Sequence, residues 1–308
     1  MTPPLDGIND LPTISTRRAR WLVACAAALF GTVTVGGSFL YRTGFSLYEI
    51  SLYPLILTCL MLFPAFLRQK YAIRKQMLPF FVVYGLIGAL VQLSQFGGVI
   101  LGVPIATVSL FLYTQPIWTS LLGKLLLGET LNLRKLLAVA LGILGSFVLI
   151  QEGSDAPANI RGILSAILGG LFLALWVIWG RKCGLQNYHY ITTTAGWSAF
   201  SSVWLALLWP LFSLVIHNDK ITRLSLNFPI RHWLLLAAFA LIAGLIPSLL
   251  TFRGLQTVSA STAGIILLLE PLSAGTMAAL LFHQPLGLHI FVAAALILLS
   301  NLLFLWEA

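Results

Sequence analysis

Apolar residues occur along this chain in long runs that are separated by short polar segments. A helix needs roughly 20 predominantly apolar residues to cross a ~30 Å hydrocarbon core, and ten such windows are present. None of the polar segments between them is long enough to form a soluble domain. The pattern therefore predicts an all-α integral membrane protein with ten transmembrane helices, at approximately 21–41, 47–67, 78–101, 104–127, 133–150, 161–180, 191–216, 232–252, 257–281 and 287–306.

The composition agrees with this pattern. Of the 308 residues, 59% are hydrophobic and 9% are charged, and the mean hydropathy is +0.95. Soluble proteins carry roughly 25% charged residues, so we expect the surplus apolar surface to face a lipid bilayer. A net charge of +9 would indicate a nucleic-acid partner in a soluble protein. Here the basic residues lie at the ends of apolar runs, so we expect no nucleic-acid partner.

The distribution of lysine and arginine predicts the orientation of the helices, because cytoplasmic loops are enriched in both. With a cytoplasmic N-terminus, thirteen basic residues fall on the cytoplasmic side: Arg17, Arg18, Arg20, Arg68, Lys70, Arg74, Lys75, Lys124, Arg134, Lys135, Arg181, Lys182 and Arg253. Five fall on the other side: Arg42, Arg161, Lys220, Arg223 and Arg231. The bias predicts that both termini are cytoplasmic. The short tails are typical of a bacterial inner-membrane protein.

The chain contains an internal repeat. When it is shifted by 155 residues, the segment 106–131 aligns with 261–286, and Gln115-Pro116 aligns with Glu270-Pro271. Each segment predicts an apolar helix that is interrupted near its middle by proline, then a short turn and another helix. Five helices per repeat is an odd number, so the second copy must have the opposite orientation in the membrane. Inverted repeats with interrupted helices are typical of secondary transporters.

These paired segments resemble the drug/metabolite transporter superfamily, in particular its EamA-type members. The first half has the Gly128-Glu129 turn that is common in this family, and the second half departs from it at 283–285. The resemblance covers essentially the whole chain. It implies two five-helix units, 1–151 and 152–308, with a central cavity between them that opens alternately to each side. Relatives carry amino acids, amines, sugars, nucleotide sugars or sugar phosphates.

Glu270 lies about midway along the ninth predicted span. An ionisable side chain at that depth costs roughly 2.5–3.5 kcal/mol or more, so we expect it to face a cavity or a partner. A role in proton coupling or in binding a cation follows from that position. The alternative is structural, with Glu270 bonding backbone groups that Pro271 leaves without their helical partner.

Other polar and aromatic residues within the spans extend this candidate site. Buried amides must bond either a substrate or a neighbouring helix, and aromatic rings either line a cavity or pack in the core. Pro116 and Pro271 are candidate hinges, with static helix curvature as the alternative. We predict a substrate cavity lined by Glu270, Gln92, Gln95, Tyr84, Tyr113, Gln115, Trp118, Trp176 and Trp179.

The absence of catalytic motifs limits the functional classes. The sequence has no G-x-x-x-x-G-K-[ST], H-E-x-x-H or G-x-S-x-G motif and no metal-ligand spacing, so we expect neither an enzyme nor a cofactor. We expect a small-molecule carrier, a monomer or weak dimer, which exports amino acids or related neutral or zwitterionic compounds with proton coupling. An importer of a quaternary or cationic amine, using Glu270 and an aromatic cage, is one alternative. A non-transporting membrane sensor or enzyme is another.

Overall fold

The computed structural model describes residues 14–68, 71–100, 111–150, 160–282 and 288–305. These residues form α-helices and short turns, and the described ranges contain no strand. The α-helices of seven or more residues are α1 Thr16–Arg42, α2 Leu47–Phe66, α3 Leu78–Ile100, α4 Gln115–Leu127, α5 Leu133–Ile150, α6 Ile160–Leu185, α7 Tyr190–Val215, α8 Ile230–Phe239, α9 Ile246–Leu255, α10 Ala260–Ile266, α11 Leu269–Phe282 and α12 Leu288–Leu305.

Helices occupy most of the described part of each apolar window. A π-helical stretch, Ala240–Leu245, joins α8 and α9 within the eighth window. The first part of the fourth window lies outside the described residues, so the count of ten spans stays a prediction. Within the described residues, seven segments are long and apolar enough to cross a membrane: Thr16–Arg42, Leu47–Phe66, Lys75–Ser94, Gly162–Leu185, Tyr190–Val215, Ile230–Leu255 and Ala260–Met277.

Some sequence predictions concern parts of the chain that lie outside the described ranges. They include the boundary between 151 and 152, the turn at 283–285, the chain termini and the side chain of Gln95.

Two helical stretches are interrupted as the repeat predicts, but ahead of the prolines. In the first half the interruption is a turn at Tyr113–Thr114, and in the second it is a turn at Leu267–Leu268. Pro116 and Pro271 lie in the first turn of the helices that follow, α4 and α11. A backbone N–H in a first turn has no intrahelical partner, so proline there removes no helical hydrogen bond. The expected loss of a hydrogen bond at each proline is therefore wrong, although the interruption itself is present.

Helix packing joins the first five helices to the last seven. α1 packs against α9 and α11, and α6 makes the corresponding contacts with α3 and α4. Helices α2 and α7 pack together, as do α5 and α12, and α4 and α10. One apolar core lies between α1, α3, α6 and α9, around Tyr84, Trp176 and Phe252. A second core, around Phe45, Leu205 and Leu236, lies nearer the α1–α2 and α7–α8 connections.

Candidate functional site

The two interrupted stretches lie against each other and against α1 and α6. α4 contacts α10, and a Cβ atom added to Gly264 of α10 would lie 2.9 Å from Nε2 of Gln115. On the α6 side, a Cβ added to Gly170 would lie 2.8 Å from the Thr114 hydroxyl. The absence of a side chain at these two glycines therefore lets the first interruption approach α6 and α10 closely.

Glu270 lies at the second position of α11, directly after the Leu267–Leu268 turn. Its backbone N–H donates to the Leu267 carbonyl at 3.0 Å, and its side chain is partly buried. The carboxylate makes no hydrogen bond or ion pair to another described residue. The positive end of the α11 dipole favours a negative charge at this position. Glu270 is thus an acidic group with unused acceptor capacity beside a helix interruption.

Tyr113 is a predicted site residue from the other interrupted stretch that lies near Glu270. It forms the turn in the first interrupted stretch, and its phenol lies within range of the charge of the Glu270 carboxylate. One turn after Glu270, Ser273 donates from Oγ to the Ala28 carbonyl of α1 at 2.6 Å. The candidate site therefore includes side chains from both halves of the chain.

Gln115 has its amide engaged in local packing. The side chain is buried, and Nε2 donates to Oγ1 of Thr119 one turn further along α4. The Thr119 hydroxyl in turn donates to the Gln115 carbonyl at 2.9 Å. These bonds favour the interpretation of Gln115 as a packing residue between α4 and α10.

Tyr84 and Trp176 form a buried pair in the core. The Tyr84 hydroxyl donates to the Trp176 carbonyl at 2.8 Å, and both side chains are buried. The Trp176 ring lies 5.5 Å from that of Trp197 and 5.0 Å from that of Phe252, measured between centroids. The Trp176 indole N–H is buried without a hydrogen-bond acceptor in the described part of the chain. The phenol of Tyr84 is therefore committed to the fold, and the indole N–H of Trp176 is not.

The remaining predicted site residues are spread over several helices. Trp179 has the Lys182 ammonium over its ring, 4.1 Å from the centroid, near the end of α6. Trp118 is partly buried, and its indole N–H has no acceptor among the described residues. Gln92 is partly buried on α3. These residues therefore have different neighbours in the structure, and their common role in a cavity stays a prediction.

Two other acidic residues have well-defined partners that the sequence does not predict. Glu49 is fully buried and pairs with Arg223, with 3.3 Å between Oε2 and Nη2. Glu129 accepts a hydrogen bond from the Ala260 N–H at 2.6 Å. The Ser46-x-x-Glu49 spacing is the signature of a capping box and indicates a role for Glu49 at a helix start. No local signal indicates the partners, because they lie more than 100 residues away along the chain.

Comparison with known proteins shows the family. The sequence model of the EamA-like transporter family matches the chain twice, over residues 18–151 and 160–306. The chain belongs to this family. A protein of Archaeoglobus fulgidus described as an uncharacterized transporter is 23% identical over 204 residues, which cover 66% of this chain and 67% of that protein. A crystal structure of another protein has a similar fold, with a TM-score of 0.76 and 17% identity over 92% of this chain and 95% of that chain.

Membership of the EamA family confirms the resemblance to the drug/metabolite transporter superfamily. Together with the apolar helices, it identifies an integral membrane protein of a transporter family, not of an enzyme family. Such an EamA protein has a lipid bilayer as its surroundings and a small molecule as its substrate. The low identity to the solved structure limits that comparison to the fold.

Proposed function

We propose that this EamA protein is a secondary carrier that works by alternating access, with its substrate held between two inverted five-helix repeats, 1–151 and 152–308. We propose amino acids, or related neutral or zwitterionic compounds, as the substrate, and export as the direction. The proposal places ten spans in a bacterial inner membrane, with both termini in the cytoplasm and the protein as a monomer or weak dimer.

The repeat organisation is supported by the helix contacts. In the two proposed repeats, α1 corresponds to α6, α3 corresponds to the α8–α9 helix, and α4 corresponds to the α10–α11 helix. The contacts of α1 with α9 and α11 then become those of α6 with α3 and α4, which are also present. The two separate matches to the family, one in each half, agree with this organisation. A carrier of this type binds its substrate where the interrupted helices meet.

The unpaired Glu270 carboxylate is the observation that carries the proposal. It lies at the interruption between α10 and α11, and Tyr113 of the other interruption lies within range of its charge. An ionisable side chain within a membrane span costs free energy, and such residues usually have a function. Glu270 makes no ion pair with another described residue. An α-ammonium group or a proton would supply the missing positive charge. We therefore propose Glu270 as the residue that couples substrate movement to protons.

The import of a cationic amine is the second candidate function. It needs several aromatic faces open to the ligand, because a quaternary ammonium binds over ring faces. Lys182 covers the Trp179 ring, and Trp176 packs against Trp197 and Phe252. These contacts favour a zwitterionic substrate over a caged cation.

A ligand panel tests the substrate class. The purified protein is heated with aromatic and aliphatic amino acids, quaternary amines, neutral sugars, nucleotide sugars and sugar phosphates. A ligand at 100 times its Kd stabilises the fold by about 2.7 kcal/mol, which raises the melting temperature measurably. We expect the amino acids to give the shift. A shift with quaternary amines alone would support the second candidate, and chemical conversion of a bound compound would support an enzyme.

Substitution of Glu270 tests the coupling. In proteoliposomes, Glu270→Gln should abolish transport driven by a pH gradient and leave substrate exchange in place, because the amide keeps the shape but does not titrate. Asp219→Asn is the matched control, since Asp219 is exposed in the α7–α8 connection. Transport of Glu270→Gln that still responds to the pH gradient would refute proton coupling through this residue.

A further inference from the structure

Glu49 is the centre of a polar network that joins the α1–α2 connection to the α7–α8 connection. It accepts from the Ser225 N–H at 2.8 Å, and from Nε and Nη2 of Arg223 at 3.4 and 3.3 Å. Arg223 also donates from Nη2 to the Gly44 carbonyl, and its own carbonyl accepts from Ser46 Oγ at 2.6 Å. Every one of these bonds connects the first half of the chain to the second.

Glu129 is the centre of a second network, which joins the α4–α5 turn to the start of α10. Its carboxylate accepts from the N–H groups of Ala260 and Ser261, at 2.6 and 2.9 Å, and from the Ser261 hydroxyl. Gly128 makes this possible, because it ends α4 at φ 67°, a left-handed conformation that favours glycine. These bonds also connect the first half of the chain to the second.

The two networks have the same construction. In each, a carboxylate from the first half accepts at least one backbone N–H bond and a side-chain bond from the second half. The predicted topology places the residue-49 network on the outer side and the residue-129 network on the cytoplasmic side. In a carrier with alternating access, contacts that join the halves at one side must break when that side opens.

We infer that the Glu49 and Glu129 networks are the two gates of this carrier, one at each side of the membrane, and we call them the outer and the inner latch. Each network closes its own side, and transport alternates between breaking one and breaking the other. The inference rests on the proposed function. Carboxylate bonds to backbone N–H groups suit this role, because water can replace them when the gate opens and they are strong when it closes. The outer latch carries the additional ion pair with Arg223.

A purely structural role for both residues makes a different prediction. Glu49 also caps α2, accepting from the Ser46 N–H at 2.7 Å, so its loss would destabilise that helix. If both networks were only structural, the loss of either would lower stability and would not favour opening at one side of the membrane. Two latches shift the conformational equilibrium in opposite directions, because removing one favours opening at its own side.

Sided thiol labelling distinguishes these roles. The three cysteines, Cys25, Cys59 and Cys183, are replaced by alanine, and Gln92→Cys is introduced as a reporter in the proposed cavity. A membrane-impermeant maleimide is added to right-side-out and to inside-out vesicles, and the ratio of the two labelling rates is measured. Thermal unfolding of each purified variant checks that it is folded.

We expect Glu49→Gln to raise the ratio of outer to inner labelling by about tenfold, and Glu129→Gln to lower it by a similar factor. Arg223→Gln and Ser261→Ala weaken the same latches without touching the carboxylates, and each should act in the direction of its own latch. They keep the test valid where a glutamate variant does not fold.

Three results would decide against the inference. A labelling ratio that changes in the same direction for both latches, or that changes for neither, would overturn the assignment of the latches. Labelling of the parent protein from both sides would in that case still support an alternating carrier. Labelling of the reporter from one side only, in the parent and in every variant, would overturn alternating access and therefore the proposed function as well.

Discussion

Acidic side chains in this protein differ most in what their carboxylates contact. Glu49 and Glu129 accept several hydrogen bonds from the opposite half of the chain, whereas Glu270 makes none to a described residue. A carboxylate with fixed donors holds a structure together, and one without them can bind a proton or a substrate ammonium. Glu49 and Glu129 are therefore contacts between the two halves, whereas Glu270 is a candidate for binding a proton or a substrate.

Gly123 lies tightly against the Glu129 network. A Cβ added at Gly123 would lie 2.8 Å from Ser261 Oγ and 2.9 Å from a Glu129 carboxylate oxygen, so both would have to move. We expect Gly123→Ala to destabilise the protein by about 1–3 kcal/mol in thermal unfolding, because overpacking a tight contact forces such shifts. Gly37→Ala is the control, since its Cβ would lie 3.9 Å from the nearest side chain and should change stability by less than about 1 kcal/mol. Equal effects of the two substitutions would contradict the tight contact.

The interrupted helices show what the sequence pattern predicts well and what it does not. The aligned prolines correctly indicate an interruption in each half, because proline in a helix interior is unfavourable. The position of the break, two to four residues earlier, places Tyr113 in one turn and leaves Glu270 at the start of α11. Local sequence does not decide this, since proline is tolerated anywhere in the first turn of a helix.

Pro271 should keep α10 and α11 from fusing. A proline ring clashes with the carbonyl four residues earlier, which here belongs to Leu267. Pro271→Ala removes the clash and supplies an N–H, so we expect a continuous helix and amide exchange at residues 268–270 that is slower by about tenfold. Pro210→Ala, within α7, is the control and should leave exchange at residues 268–270 unchanged. Unchanged exchange in Pro271→Ala would show that packing alone maintains the interruption.

The arrangement of the whole molecule follows from contacts between the two halves. Helices α1 and α6 each pack against the third and fourth helical units of the opposite half. The predicted topology agrees with this arrangement, since it assigns the bonded 223–225 and 44–49 segments to one side and the bonded 129 and 260–261 segments to the other. Paired segments must lie at the same end of the helix bundle.

Labelling of the connections tests the topology directly. Gln186 is exposed between α6 and α7, on the predicted cytoplasmic side, and Lys220 is exposed between α7 and α8, on the predicted outer side. In intact cells, an impermeant maleimide should label Lys220→Cys and should not label Gln186→Cys until the membrane is opened. Neither position lies in the proposed site. The reverse result would place both termini outside the cytoplasm.

The sequence by itself determined the environment, the helical class and the family of this protein. Long apolar runs, few charges and paired proline segments are local features, and their physical consequence in a bilayer does not depend on the partners of each side chain. The positions of nearly all the described helices followed from these features, because every spanning segment must satisfy its own backbone hydrogen bonds.

Only the tertiary structure decided which polar residues are free and which are engaged. Tyr84 and Gln115 have the same local appearance as residues of a cavity, yet each uses its polar group within the fold. Glu49 and Glu129 appear in the sequence as ordinary residues at helix ends, yet each binds the opposite half. A hydrogen bond needs both partners within about 3 Å. For these residues the partners come from distant parts of the chain, and folding alone brings them together.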